Sequence, residues 1–136
     1  MNLSKEDLFH DGTQTAAGSN GALGTAAKGE VLDFNRHGDD VMNDLFWFVH
    51  TDTAGDVKVV WKTADDLDAD GDLDDAQTAY ENTVEGAAAG SYPVKNEPLP
   101  KGLKRYNQLE VQTSAAAKIT AGLICGRDEG VPFKGL

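Results

Sequence analysis

The sequence predicts an all-β fold, a sandwich or barrel of short strands, and three observations carry that expectation. Apolar residues recur with period two in several short runs, and turn signals built on Gly, Pro and Asp separate those runs. No long amphipathic helical pattern interrupts them. A chain of 136 residues is expected to form one domain, residues 1–136, and to bury about two-thirds of its unfolded surface without staples.

Taken in order, the first thirty residues are rich in Gly, Ala, Ser and Thr ("TQTAAGSNGALGTAAKG"). They read as an extended arm over about residues 1–25, or as loose first strands. The run "LFWFVHT" (Leu45–Thr51) is apolar on both parities. Leu45, Trp47 and Val49 share one face, and Phe46 and Phe48 the other, which fits a strand buried on both sides or covered by a partner. After the turn signal "DTAGD", "VKVVWKT" alternates, with Val57, Val59 and Trp61 on one face and Lys58, Val60 and Lys62 on the other. The short connection containing Gly55 predicts that these two strands pair as a hairpin.

An acidic loop insertion follows, over about residues 65–90. The prolines of "PLPKGL" (residues 98–103) then punctuate the chain, since Pro cannot donate within a sheet ladder. In "RYNQLEVQT", Tyr106, Gln108, Glu110 and Gln112 oppose Asn107, Leu109 and Val111. In "KITAGLIC", Ile119, Ala121, Leu123 and Cys125 share a face. The small-residue link "SAAA" between these two runs predicts a second hairpin. The tail, about residues 126–136, carries Val131, Pro132, Phe133 and Leu136 after a charged stretch. It is read either as folding back on its own sandwich or as docking on a neighbour.

Charge narrows the function. There are 23 Asp plus Glu against 12 Lys plus Arg, a net charge of -11. Nucleic-acid backbones are bound by cations, so this surface argues against DNA, RNA and anionic membrane as partners. No run approaches the ~20 apolar residues of a membrane-spanning helix. The N-terminus "MNLSKEDLFHDGTQ" lacks the apolar core of a signal peptide, so the chain is expected in the cytoplasm of the cell that makes it unless it leaves in a particle. The single cysteine, Cys125, allows no disulfide within the chain.

The most suggestive local pattern is "DLDADGDLDDAQ", residues 66–77. Calcium takes six to eight oxygen ligands, and an EF-hand loop supplies them from positions 1, 3, 5, 7, 9 and 12 with Gly at 6. Asp66, Asp68, Asp70 and Asp72 fall at the first four of these, and Gly71 fits the turn, but position 12 is the neutral Gln77. The entering segment also alternates like a strand, where an EF-hand has a helix. These four aspartates are candidate calcium ligands, set against a solvated acidic loop as the blander reading. No other cofactor is expected.

His10, His37 and His50 have no metal-ligand spacing, and His50 reads as a hydrogen-bonded core or edge histidine. Neither GxSxG nor GxxxxGK[ST] occurs. Cys125 falls on an inward face, where cysteine acts as a small apolar residue. The chain is not expected to be an enzyme.

The order of segments supplies a resemblance. "LFHDGTQTAA" leads to a hydrophobic strand, then "VKVVWKTADD", a variable acidic loop, "PLPKGLKRYNQLEVQ" and a closing "KITAGLI". This order, over roughly residues 8–125, resembles the capsid cement (decoration) proteins of tailed bacteriophages, the family first recognised in a short-tailed Bordetella phage. Its most specific element is the Pro-Leu-Pro-x-Gly-x-Lys-Arg-Tyr run. The resemblance implies a jelly-roll-like antiparallel β-sandwich that forms a homo-oligomer, dimer or trimer. It also implies a virion location: on the capsid exterior, bridging neighbouring subunits of the phage major capsid protein.

The long acidic loop and the C-terminal tail depart from the family pattern, so contacts do not transfer from relatives. Phe9 in the arm and Val131, Phe133 and Leu136 in the tail are the candidate shell or subunit contacts. The rival expectation is a calcium-dependent carbohydrate-binding, lectin-like jelly-roll module holding its ion with Asp66, Asp68, Asp70 and Asp72.

Overall fold

The computed structural model describes residues 8–34 and 45–125. Among them the chain is all β, its antiparallel sheets packed as a jelly-roll-like sandwich. The strands are β1 (Leu8–Gln14), β2 (Ala27–Lys28), β3 (Leu32–Asp33), β4 (Leu45–Thr51), β5 (Gly55–Ala64), β6 (Asp66–Leu67), β7 (Leu73–Asp74), β8 (Gln77–Ala87), β9 (Val94–Pro98), β10 (Tyr106–Thr113) and β11 (Lys118–Cys125). One sheet has the order β1-β11-β4-β9. The other runs β2-β10-β5-β8, with β3 also on β10, and β6-β7 form a small ribbon. No helix among the described residues is long and apolar enough to cross a membrane.

The faces follow from the alternation. Val57, Val59, Trp61, Leu109, Val111, Ile119, Ala121 and Leu123 all lie in one core, each at most 3% exposed. Trp61 is at its centre. The rings of Phe9 and Trp47 meet it edge-on at centroid distances of 5.0 Å, and Phe34 at 6.1 Å. Such edge-to-face pairs contribute about 0.5–1.5 kcal/mol each beyond the area they bury. The indole N–H of Trp61 donates to Asn107 Oδ1 at 2.9 Å, and Asn107 Nδ2 donates to the Lys104 carbonyl at 3.0 Å. This satisfies the polar atoms that burial would otherwise leave unpaired.

The pairing differs from both predicted hairpins. β4 pairs with β11 and β9, while β5 pairs with β10 and β8. β10 and β11 likewise lie in different sheets. Both short links are arches from one sheet to the other. A strand with one apolar face can bury it beside its neighbour in a hairpin or opposite it across a sandwich, and the alternation is the same in either case. Here Trp47 and Trp61 meet across the core, nearly perpendicular at 88°.

The arches are tied together at one end of the sandwich. Asp52 Oδ1 accepts from the Lys118 amide at 2.8 Å, and the amides of Asp56 and Ser114 each donate into the opposite arch. Gly55 has φ +151°, and a Cβ there would sit 2.9 Å from Ser114 Oγ, so the close approach requires glycine. The link from β8 to β9 crosses at this same end, where the Gly90 amide donates to the Thr51 carbonyl.

Two predicted boundaries also shift. Residues 8–14 are a sheet strand, not part of an arm, with β1 pairing β11. Within 65–90 the loop-like residues are the first dozen, which hold the β6-β7 ribbon, and 88–90, because β8 is a long strand pairing with β5 from Gly55↔Ala87 to Thr63↔Gln77.

Candidate functional site

The acidic window forms the β6-β7 ribbon, with Asp66 opposite Asp74 and Leu67 opposite Leu73. Its tip is held by its own chemistry. The Asp68 amide donates to the Asp72 carbonyl at 2.8 Å, and Asp68 Oδ1 accepts from the amides of Asp70 at 2.8 Å and Asp72 at 3.0 Å. Gly71, at φ +83°, makes the turn that an L side chain resists. The Asp68 carboxylate therefore caps a turn, and Asp66, Asp70 and Asp72 stand exposed around it. Among the described residues no three His, Cys, Asp or Glu side chains are gathered as a metal-binding group. The calcium-like spacing in sequence becomes a solvent-facing tip in space.

Phe9 requires a correction as a candidate contact. A bulge between Leu8 and His10 turns the strand, so Phe9 and His10 are both buried at 1% exposure. The Phe9 ring packs on Trp61 within its own sandwich and presents no surface to a neighbour. Val131, Phe133, Leu136 and His37 lie outside the described residues.

His10 is a core histidine. Its Nε2–H donates to the Leu109 carbonyl at 2.9 Å, and its Nδ1 accepts from Thr13 Oγ1 at 3.0 Å. Burial lowers its pKa from 6.5, partly offset by the bond to Leu109 and the charge of Glu30. Gly29 makes room for this arrangement, since a Cβ there would lie 2.9 Å from His10 Nε2 and would also strike the Phe9 carbonyl. His50 is half-buried and meets the ring of Tyr92 edge-on at 5.0 Å. Cys125 closes β11 opposite Leu45.

Two surfaces carry features that residue motifs did not mark. On the outer face of the first sheet, Leu8, Phe48 and Ile124 form a small second cluster, beside Tyr92 at 40% exposure. The double apolar parity of "LFWFV" signalled this face, whereas Tyr92 sits in an inter-sheet link with no pattern to reveal it.

The second surface is the edge of the other sheet at β8, which no other strand among the described residues pairs on its outer side. β8 spans 11 residues and ends the strand order, and most of its side chains are exposed. The other sheet margins are interrupted: β1 by two register shifts, β9 by one shift and a terminal Pro98, and β2 and β3 by their length of two residues. β8 contains neither Pro nor Lys. Between its own two register shifts lies a regular stretch in which Tyr80, Glu81, Asn82, Thr83 and Val84 pair in sequence with Trp61, Val60, Val59, Lys58 and Val57.

No protein-family model matches the sequence, and no curated protein matches it.

Proposed function

We propose that the chain is a capsid cement protein, which binds the outer surface of an icosahedral phage shell and bridges neighbouring major capsid subunits. The observation that carries this reading is the Pro-Leu-Pro-x-Gly-x-Lys-Arg-Tyr run behind the resemblance, and its place in the fold. Residues 98–105 lead from β9 in one sheet to β10 in the other. At the end of that crossing, Arg105 makes a two-pronged pair with Asp33 at 3.0 and 2.9 Å. Asn107, two residues on, holds the central Trp61. The segment shared with the family thus builds the join between the sheets. An all-β sandwich is the architecture that the family implies, and this supports the reading.

The physical mechanism is multivalent adhesion. Each contact is weak, but an oligomer that touches several capsid subunits gains effective concentration for the later contacts. A protein that binds only the assembled, expanded shell stabilises it by mass action. The acidic surface keeps such a protein from competing for the packaged genome.

The test is co-sedimentation of the purified chain with expanded capsids of its own phage, followed by thermal melting of the loaded shells. Binding with a raised shell melting temperature is expected. Absence of binding to those shells ends the proposal.

A further inference from the structure

We infer that β8 is a self-pairing edge, joining two copies of the chain antiparallel about a two-fold axis at Asn82, so that the two β2-β10-β5-β8 sheets become one continuous sheet. An exposed strand edge presents unpaired N–H and C=O groups, and folded proteins ordinarily blunt such edges with bulges, prolines, lysines or short strands. Three of the four sheet margins here carry such devices. The fourth, the longest, carries its bulges only outside its centre, and the regular stretch between its two register shifts, Tyr80 to Val84, is centred on Asn82 and holds a single charge, Glu81.

The side chains select the same centre. About Asn82, Tyr80 of one copy faces Val84 of the other on the core side of the sheet. Both residues are half-buried and already pack against the core, and an aromatic beside a β-branched residue is a favourable cross-strand pair. Glu81 then faces Thr83, and Glu85 faces Ala79. Moving the axis by one residue breaks this. Centred on Glu81, that carboxylate opposes its own copy, and centred on Thr83, Glu81 opposes Glu85. Like charges directly opposite are destabilising, and the chain has negative charge in excess already. A second copy is therefore the occupant that the edge fits, and it gives the oligomer of the cement reading a defined interface. The inference deepens that reading, but the self-pairing is measured with no shell present.

The experiment is sedimentation velocity on the full chain over a concentration series, with two variants. The wild type is expected to reach a dimer, twice the 14.5 kDa chain mass. Asn82→Lys puts a charge on the axis opposite its own copy and is expected to weaken dimerisation at least about tenfold, with unchanged far-ultraviolet circular dichroism. Asn82→Cys with Cys125→Ser is expected to form a disulfide-linked dimer on mild oxidation. Residues directly opposite in an antiparallel pair lie about 4.5–5.5 Å apart at Cα, within disulfide reach. Thr78→Cys in the same background is expected not to cross-link, because its copies lie roughly 27 Å apart along the paired strands.

A monomer at every concentration overturns the inference. So does a trimer, an assembly untouched by Asn82→Lys, or cross-linking through Thr78 as efficient as through Asn82. A monomer whose shell binding is lost in Asn82→Lys overturns it too, and assigns the edge to a strand of the capsid protein. A dimer that meets these tests yet ignores shells leaves the inference standing and removes the cement proposal.

Discussion

At the scale of single residues, the neutral form of His10 is built into the core. Its Nε2–H and the Gly29 amide both donate to the Leu109 carbonyl, and its Nδ1 accepts from Thr13. Protonation would turn that acceptor into a donor and place a charge where exposure is 1%. The lowered pKa fixes the sign of the pH dependence. Above the unfolded value of 6.5 neither state holds the proton, and the folded state has its full stability. As pH falls below 6.5 the unfolded chain takes up a proton that the folded chain refuses, so stability is lost until the folded pKa is reached. Urea melts from pH 7.5 down to pH 5 are expected to show this loss, with one proton setting an upper limit of about 1.4 kcal/mol per pH unit on its slope. In His10→Gln the slope over that interval should flatten, even though the variant is less stable throughout. An unchanged slope would mean that His10 takes up its proton in the folded chain as readily as in the unfolded one.

At the scale of elements, the acidic ribbon is a self-capped turn, and its behaviour follows from Asp68. Removing that carboxylate in Asp68→Ala deprives two amides of their acceptor, a local loss of about 1 kcal/mol. Hydrogen exchange at Asp70 and Asp72 is expected to quicken by roughly five- to tenfold, while amides of β5 and β10 keep their protection. A chelator is expected to leave the melting temperature of the wild type in place. A fall on chelation, reversed by calcium, would return the aspartates to the role their spacing suggested.

The same ribbon marks what the sequence could and could not disclose. Spacing along a chain says which carboxylates are near one another, but not whether a loop points them at one ion or uses one of them to cap itself. Strand faces were legible because period-two alternation is a property of each strand alone: Val57, Val59 and Trp61 point inward as their pattern demands. Strand partners were not, because "DTAGD" and "SAAA" serve an arch as well as a hairpin. The long strand β8 was hidden for a related reason. An edge strand that buries little, as in "QTAYENTVEGA", has no apolar stripe to separate it from a polar loop. Phe9 was misplaced because a bulge, which breaks the alternation, turns two successive residues inward.

At the scale of the whole molecule, net charge competes with local pairing, and magnitudes decide the outcome. The ion pairs among the described residues that join distant parts of the chain, Lys58–Glu81, Lys104–Asp65 and Arg105–Asp33, all have partly exposed partners. Exposed pairs of this kind contribute about 0–1 kcal/mol each and weaken as salt is added. Against them stands the self-repulsion of a chain at -11, which a compact fold concentrates and which pairing along β8 concentrates again. Raising ionic strength from 0.01 to 0.15 M shortens the screening length from about 30 to about 8 Å. Long-range repulsion across the molecule is then largely removed, while contacts at 3 to 4 Å lose less. Salt is therefore expected to raise the melting temperature at pH 7 and to tighten the β8 dimer. Calorimetry and sedimentation across one sodium chloride series measure both. The dimer should respond more steeply than the fold, since it brings two chains of the same sign together, whereas a melting temperature that falls with salt would show that the local pairs outweigh the net charge.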